Sequence, residues 1–360
     1  MASERERGRS KGRLDRLCQS ALDRESLQYE AIVELRRVSG FDRWCWPVAD
    51  PVSLIPLGGL AEHDYGPQVP RVLELEYAGG DVASMDALAQ RTDGVGSLNG
   101  ETHGDLPRSP RWDEVFRAVG IGDEAIVACR DRLGCWGWIK IYRSSDDRPF
   151  DEDDLELLAA VGPSLGSALR GTSYPPSLEM PNHRPPGVIV LDRELRIVSL
   201  TAAARAWIET FPSAEIYAAF GMLPAMVYPV ATLAQSSKQA NRAHALERTR
   251  DGTWVMIEAA VLEGNADGQI ALTFREATAQ EMFDRLCRIK ALSRREREVV
   301  AVLLEGVDTR ATCERLFITP HTLQDHLKSV FEKLQIHSRR DLRAIFNASN
   351  RRGEQAAAEH

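Results

Sequence analysis

Four signals for the start of a helix lie close together near the carboxyl end of the chain. Ser293 is followed three residues later by Glu296, which is the spacing of a capping box, and Gly306 is placed to end the helix that they begin. Pro320 stands at the first position of a later helix, where its missing N–H costs nothing. The four starts are at Ser293, Asp308 or Thr309, Thr319 and Ser338. This spacing predicts a unit of four short helices.

The second and third of these helices are joined by a tight turn, which is the arrangement of a helix-turn-helix. The third helix divides into two faces. Its buried stripe is predicted to comprise Leu323, Leu327, Val330 and Leu334. Its outward residues are predicted to be His321, Gln324, Asp325 and Lys328. The outward set is therefore a candidate surface for contact with DNA.

The charge of the chain is divided unevenly along its length. The 360 residues carry a formal net charge of −8. Residues 288–343 hold 12 Lys and Arg against 8 Asp and Glu, a net charge of +4, so the rest of the chain has a net charge of −12. An acidic body with a basic end is the electrostatic footprint of a small DNA-binding module attached to another part.

The basic segment resembles the C-terminal domain of the LuxR family of bacterial transcription regulators over about sixty residues. The resemblance rests on Leu292, residues 295–299, Gly306, Leu316, Ile318, Pro320, Thr322, His326, Lys333, Leu334, Ser338 and Arg339. The segment departs from the family at Thr312, where an apolar Ile is usual, and at Gln324, where a Lys is common. The first departure bears on the small core and the second on base preference.

The resemblance implies which residues contact DNA. Gln324, Asp325 and Lys328 would face base edges in the major groove, where Gln bonds adenine, Asp accepts from cytosine and Lys donates to guanine. Phosphate contacts are implied for Arg310, Thr319, Thr322, Lys333, Arg339 and Arg340. The outward His321 completes the predicted set. For Lys333, Arg339 and Arg340, the alternative is that they are ordinary solvated surface charges. For His326, the alternative is packing between helices.

Two units upstream resemble sensor domains. A strand pair over residues 125–142, followed by a helix that starts after Asp151, resembles a GAF domain. A strand, turn and strand over residues 187–200, with Trp207 and residues 250–254, resembles a PAS domain. The predicted fold class is multidomain, with α+β GAF-like and PAS-like domains followed by an all-α, four-helix LuxR-type helix-turn-helix domain.

The domain boundaries follow from these patterns. We predict an N-terminal helical segment over 1–39, a GAF-like domain over 40–170, a Pro-rich linker over 171–186, a PAS-like domain over 187–278, a connecting helix over 279–291, the helix-turn-helix domain over 292–350 and a disordered tail over 351–360. The first segment has an apolar stripe at helical spacing, which offers a face for self-pairing or for packing. The stripe comprises Leu14, Leu17, Ala21 and Leu22.

Five tryptophans form a candidate ligand pocket in the GAF-like domain. They are Trp44, Trp46, Trp112, Trp136 and Trp138. Trp136 and Trp138 share a strand at i and i+2, which predicts that both project from one face of the sheet. Core packing is the alternative and the commoner reason for such residues.

The sequence predicts no catalytic residues, no metal site and no cofactor. The six cysteines form no Cys-x-x-Cys pair. Cys129 and Cys135 lie on neighbouring predicted strands, where they are either a redox pair or, as a cytosolic setting favours, inert buried thiols. An enzyme with its active site in residues 40–170 needs convergent titratable groups, and the sequence shows none.

The resulting interpretation is a cytoplasmic bacterial transcription regulator without a membrane segment, not an enzyme. Its predicted partners are double-stranded promoter or operator DNA, a second copy in a homodimer, a small-molecule ligand and RNA polymerase. The upstream units would sense a small molecule or partner and control the helix-turn-helix. The alternative is a constitutive regulator whose upstream units only dimerise or contact RNA polymerase.

Overall fold

The computed structural model describes residues 3–62, 65–173, 184–212, 214–236, 239–264 and 268–342. Most of the predicted linker, residues 343–350 of the predicted DNA-binding domain and the tail predicted for 351–360 lie outside the described residues. The chain forms two compact units. The amino-terminal unit comprises residues 1–173 and 184–275, and the carboxy-terminal unit comprises residues 174–183 and 276–360.

The described residues form ten strands and thirteen α-helices. The strands are β1 Arg43–Ala49, β2 Pro56–Ala61, β3 Val95–Ser97, β4 Ile121–Asp131, β5 Gly134–Ser144, β6 Gly187–Leu191, β7 Ile197–Leu200, β8 His244–Arg248, β9 Trp254–Val261 and β10 Ile270–Glu276. The helices are α1 Glu4–Cys18, α2 Arg24–Ser39, α3 Val69–Tyr77, α4 Met85–Gln90, α5 Leu98–Thr102, α6 Glu152–Thr172, α7 Ala202–Ile208, α8 Ala214–Ala218, α9 Val227–Gln235, α10 Ala279–Ile289, α11 Arg294–Leu304, α12 Thr309–Leu316 and α13 Pro320–Leu334. None of the helices described here has the length and apolar character that spanning a bilayer requires.

The first sheet has the strand order β2-β1-β5-β4-β3, and all of its neighbouring strands pair antiparallel. The predicted strand pair is confirmed as the β4–β5 hairpin. Helix α6 starts after Asp151, as predicted, because the Asp151 and Asp154 side chains form a capping box. A Cβ on Gly166 of α6 would lie 2.4 Å from the backbone nitrogen of Arg130, so glycine lets α6 approach β4 closely.

The apolar stripe of the N-terminal segment is used partly within the chain. Helices α1 and α2 pack against each other and against α6. Leu14 is buried there, and Leu17 and Leu22 are half-buried, whereas Ala21 is exposed. Packing inside the chain thus accounts for most of the stripe that offered a face for self-pairing.

The second sheet has the strand order β7-β6-β10-β9-β8, and α7 and α9 pack against it. Both sheets belong to the amino-terminal unit and share one apolar cluster. Trp138 and Tyr142 of the first sheet belong to that cluster, as do Ile257 and Phe274 of the second. The two predicted sensor units are therefore parts of one compact body.

Trp136 and Trp138 of β5 make different contacts. A bulge in the β4–β5 pairing sets Cys129 opposite Gly137 but Arg130 opposite Cys135, which breaks the alternation of faces at Trp136. The Trp138 indole donates to the carbonyl of Met85 beneath one face. The Trp136 indole donates to Asp131, which pairs with Arg170 of α6.

The other three tryptophans are also accounted for by packing. Trp44 and Trp46 are buried. The Trp112 indole is half-buried and donates to the carbonyl of Ile121 at 3.0 Å. The prediction that Trp136 and Trp138 share a face is thus wrong. The ligand pocket of the five tryptophans stays a prediction, and their burial favours the alternative of core packing.

Cys129 and Cys135 are not partners across the sheet, because Cys129 faces Gly137. Burial raises the pKa of Cys135 to about 12 and that of Cys129 well above its ordinary value. Both therefore remain thiols at neutral pH, which fits the inert alternative. The part of the chain that the structure describes contains no group of three or more His, Cys, Asp or Glu placed to hold a metal ion.

Candidate nucleic-acid interface

Side-chain caps begin the helices of the carboxy-terminal unit at the predicted residues. Ser293 and Glu296 form the capping box of α11, and the Asp308 carboxylate accepts from Ala311 N–H at 2.8 Å to begin α12. The Thr319 hydroxyl accepts from Thr322 N–H at 3.2 Å to begin α13. A further helical turn starts after Ser338, whose hydroxyl accepts from the Asp341 N–H. These caps confirm the four predicted starts.

A small apolar core holds these helices together. Its buried residues are Phe283, Leu286, Cys287, Leu292, Val299, Val300, Leu303, Cys313, Leu323, Leu327, Val330, Leu334 and Leu342. The predicted stripe of α13 is thereby confirmed. Thr312 is fully buried beside this core, and its hydroxyl donates to the carbonyl of Asp308 at 2.7 Å. The polar group at this position is therefore satisfied within its own helix.

The opposite face of α13 is exposed and polar. Gln324 and Lys328 are exposed one helical turn apart. With Arg339 they border one groove beside the carboxyl half of α13. This arrangement brings together three of the ten predicted DNA-contacting residues on one surface.

His321 and Asp325 occupy the same helix and contact each other. Their side chains are 88% and 68% exposed, and His321 Nδ1 lies 3.1 Å from Asp325 Oδ2. The pair therefore places an imidazole and a carboxylate side by side on the exposed face of α13.

The other predicted phosphate contacts are distributed around the domain. Thr319, Arg310 and Arg340 are exposed, and Thr322 is half-buried. Arg310 pairs with Glu314 of its own helix at 2.9 Å. The Arg339 guanidinium donates to the Thr309 hydroxyl at 3.1 Å, which ties the start of the fourth helix to the start of α12.

Lys333 makes its contacts within the helical domain. Its ammonium lies 2.6 Å and 2.8 Å from the two oxygens of Glu296, and it is 33% exposed. The Ser329 hydroxyl donates to the same carboxylate at 2.6 Å. In the structure Lys333 thus forms an internal ion pair between α11 and α13, because the Glu296 carboxylate is only 5% exposed and needs a cation. The phosphate contact of Lys333 stays a prediction.

Five charged residues also meet beneath the first sheet, which sequence reasoning missed. We call Glu76, Asp81, Arg111, Glu124 and Lys140 the ion cluster. Arg111 pairs with the three carboxylates, at 2.7 Å for Asp81 and 3.1 Å for Glu124, and Lys140 lies 3.0 Å from Glu124 and 3.4 Å from Glu76. All five side chains are at most 4% exposed.

Neighbouring charges favour the ionised forms of Glu76 and Lys140 in the ion cluster, although both side chains are buried. Burial opposes ionisation of both Glu76 and Lys140, but Arg111 and Lys140 lower the pKa of Glu76, while Glu124 and Glu76 raise the pKa of Lys140. Arg111 also donates to the carbonyls of Val82 and Ala83. The titratable groups thus converge, and they pair with one another in a buried core.

The helical domain is similar to a known family of proteins. A family model of bacterial regulatory proteins, luxR family, matches residues 290–346. A predicted HTH-type transcriptional regulator in the exeN 3′ region of Aeromonas salmonicida is 42% identical over 55 residues, which are 15% of this chain and 28% of that relative. The matched part thus spans little more than a quarter of the relative's length.

A solved structure also matches the chain. It is the far-red absorbing dark state of a protein with bound biliverdin IXα, and it is 17% identical. The match covers 46% of this chain and 99% of that chain with a TM-score of 0.27. At that score the superposition carries no argument about fold or ligand.

Proposed function

We propose that this chain is a transcription regulator that reads double-stranded promoter DNA with α13. Its residues 290–346 match the family model of bacterial regulatory proteins, luxR family. The amino-terminal unit controls this reading. The observation that carries the proposal is the division of α13 into a buried apolar face and an exposed polar face. Such a helix lies in the major groove with its outer residues against base edges.

Base reading is assigned to the exposed residues of α13. Gln324 has no charge and two hydrogen-bonding groups, so it suits an adenine edge. Lys328 reaches a guanine edge or a phosphate. Asp325 is the least favourable neighbour for phosphate, and its side chain contacts His321 on the same face.

The first test replaces Gln324 with alanine. We expect this change to weaken binding to a site selected from a random duplex library by about 1–3 kcal/mol and to relax preference at one base pair. Binding of the full chain to selected and scrambled duplexes is measured by fluorescence anisotropy. An equal loss of affinity for both duplexes would show that Gln324 does not read bases.

The second test separates a phosphate contact from an internal bond. Arg339→Ala should weaken binding to both duplexes alike and reduce the salt slope by about one, because one phosphate contact is lost. The matched control is Thr309→Val, which removes the hydroxyl that Arg339 contacts but keeps the cation. The control should leave the slope unchanged. If both variants lower affinity while the slope stays constant, Arg339 acts inside the domain and not on DNA.

Sensing by the amino-terminal unit is the second part of the proposal. The unit has two five-stranded sheets with helices packed against them. This architecture supports the GAF-like interpretation of residues 40–170 and the PAS-like interpretation of residues 187–278. A signal can shift the DNA-binding end only if it binds one arrangement of the chain better than another. We place this regulator in the cytoplasm, as a homodimer that binds paired half-sites and contacts RNA polymerase.

Native mass spectrometry of the gently purified full chain discriminates sensing from the constitutive alternative. A small molecule that copurifies with the chain supports the sensor. A dimer of unmodified mass, whose DNA affinity does not respond to a metabolite library, favours a constitutive regulator. A monomer at tens of micromolar contradicts the homodimer.

A further inference from the structure

Helix α4 lies between two sets of polar contacts within the amino-terminal unit. At one side, the Met85 N–H at its first residue donates to Glu76 of the ion cluster at 2.5 Å. At the other side, Asp86 accepts from Arg242, with the two guanidinium nitrogens at 2.6 Å and 3.0 Å from its oxygens. Met85 and Asp86 of α4 thus connect the buried ion cluster with Arg242, which lies just before β8 of the second sheet.

Arg242 connects the residues before β8 with the first sheet. It lies in a short 3₁₀ turn, Ala240–Arg242, directly before β8. Its guanidinium also donates to the carbonyl of Ser53 at 2.7 Å, just before β2. The Arg242 and Asp86 side chains are only 24% and 22% exposed, so this pair is shielded from solvent more than a surface ion pair is.

Two further contacts fix β8 against the first sheet. The Leu246 N–H donates to Asp50 at 3.1 Å, and the Gly58 N–H donates to Glu247 at 3.3 Å. Strand β8 is therefore held to the first sheet by backbone groups as well as by the arginine before it. A shift of α4 would reach β8 through Arg242 and would be resisted by these contacts.

We propose that α4 is a relay, which transmits a change in the charge balance of the ion cluster to β8 through the Asp86–Arg242 pair. The cluster holds two cations and three carboxylates, so its net charge is −1 and one carboxylate is in excess. Removal of one negative charge there, or displacement of one carboxylate from Arg111, changes the strength of the hydrogen bond from Met85 to Glu76. The inference concerns the amino-terminal unit alone and stands apart from DNA binding.

The input to the relay is changed by Glu76→Gln. Glutamine keeps the size of the side chain and an oxygen that can accept from Met85, and it brings the net charge of the cluster to zero. Because the acceptor loses its charge, the bond to Met85 becomes weaker. We expect amide exchange in α4, and at the β8 amides, to become about fivefold faster or more.

Arg242→Ala removes the cation that pairs with Asp86 and so interrupts the proposed relay. In the double variant, Glu76→Gln should still accelerate exchange in α4 but should no longer change exchange in β8 relative to Arg242→Ala alone. The matched control is Glu114→Gln, which removes an exposed carboxylate that pairs with Arg71 of α3, the same helix that carries Glu76. This control should leave β8 unchanged.

Hydrogen–deuterium exchange of the full chain, resolved to peptides covering α4 and β8, is measured for the wild type and the four variants. The proposal is overturned if Glu76→Gln leaves β8 exchange unchanged, or if its effect on β8 survives in the Arg242→Ala background. If Glu76→Gln fails to fold, Asp81→Asn serves as the second input, since it also brings the net charge of the cluster to zero and leaves Met85 untouched. The proposal is then overturned if Asp81→Asn leaves β8 exchange unchanged, or if its effect on β8 survives in the Arg242→Ala background.

Discussion

Replacing Arg111 with methionine is expected to lower the free energy of unfolding of the amino-terminal unit by about 3–5 kcal/mol. Arg111 is fully buried and pairs with Glu76, Asp81 and Glu124. Without it, three buried carboxylates would share the single cation of Lys140. Some of them would take up protons at a cost in stability, and the others would remain charged without a partner.

Tryptophan fluorescence during urea unfolding of the full chain measures this loss. All seven tryptophans lie before residue 276, so the signal reports the amino-terminal unit. The matched control is Arg71→Met, which removes an arginine that is 40% exposed and pairs with Glu74 and Glu114. Its effect should stay below about 1 kcal/mol. A loss as small as the control's in Arg111→Met would mean that the ion cluster is not essential to the fold.

The helix starts of the carboxy-terminal unit could be predicted because their signals are local. A cap such as Thr319 acts on an N–H three residues away, so sequence spacing alone reveals it. The buried stripe of α13 follows from the same short-range periodicity. The family resemblance then supplied the placement of the helices against DNA, which no local signal contains.

The contacts that the sequence did not reveal join distant parts of the chain. Lys333 has the spacing of a phosphate contact, yet it pairs with a glutamate 37 residues before it. Trp136 loses its place on the face of Trp138 because of one bulge, which alternation along β5 does not reveal. The ion cluster combines five residues spread over positions 76–140, and each alone reads as an ordinary surface charge.

The Glu296–Lys333 pair predicts a second large effect, in the carboxy-terminal unit. Burial would raise the pKa of Glu296, but hydrogen bonds from Lys333, Ser329 and Ser293 outweigh burial and lower it from 4.5 to about 2. A carboxyl whose pKa is lower in the folded state stabilises that state when it is ionised. This stabilisation is complete above about pH 4.5, and it is lost as the pH falls towards 2.

Glu296→Gln tests this stabilisation without removing the helix cap, since glutamine also serves at the third position of a capping box. The lowered pKa corresponds to about 3 kcal/mol, so exchange of the α11 and α13 amides at neutral pH should become on the order of 100-fold faster. Hydrogen exchange of the full chain is measured between pH 7 and pH 3. The ratio of the two proteins should remain large down to about pH 4.5 and then fall about tenfold by pH 3.

Two further variants show whether the pair is the cause. Glu298→Gln lies on the same helix but removes an exposed carboxylate, so it should change exchange little. Lys333→Met removes the cation, and its exchange ratio to the wild type should also fall at low pH, but by less than that of Glu296→Gln, because Ser329 and Ser293 still hydrogen-bond the carboxylate. A ratio for Glu296→Gln that stays constant from pH 7 to pH 3 would contradict the ion pair. Lys333 would then be free to contact phosphate, and Lys333→Met would reduce the salt slope of DNA binding by about one.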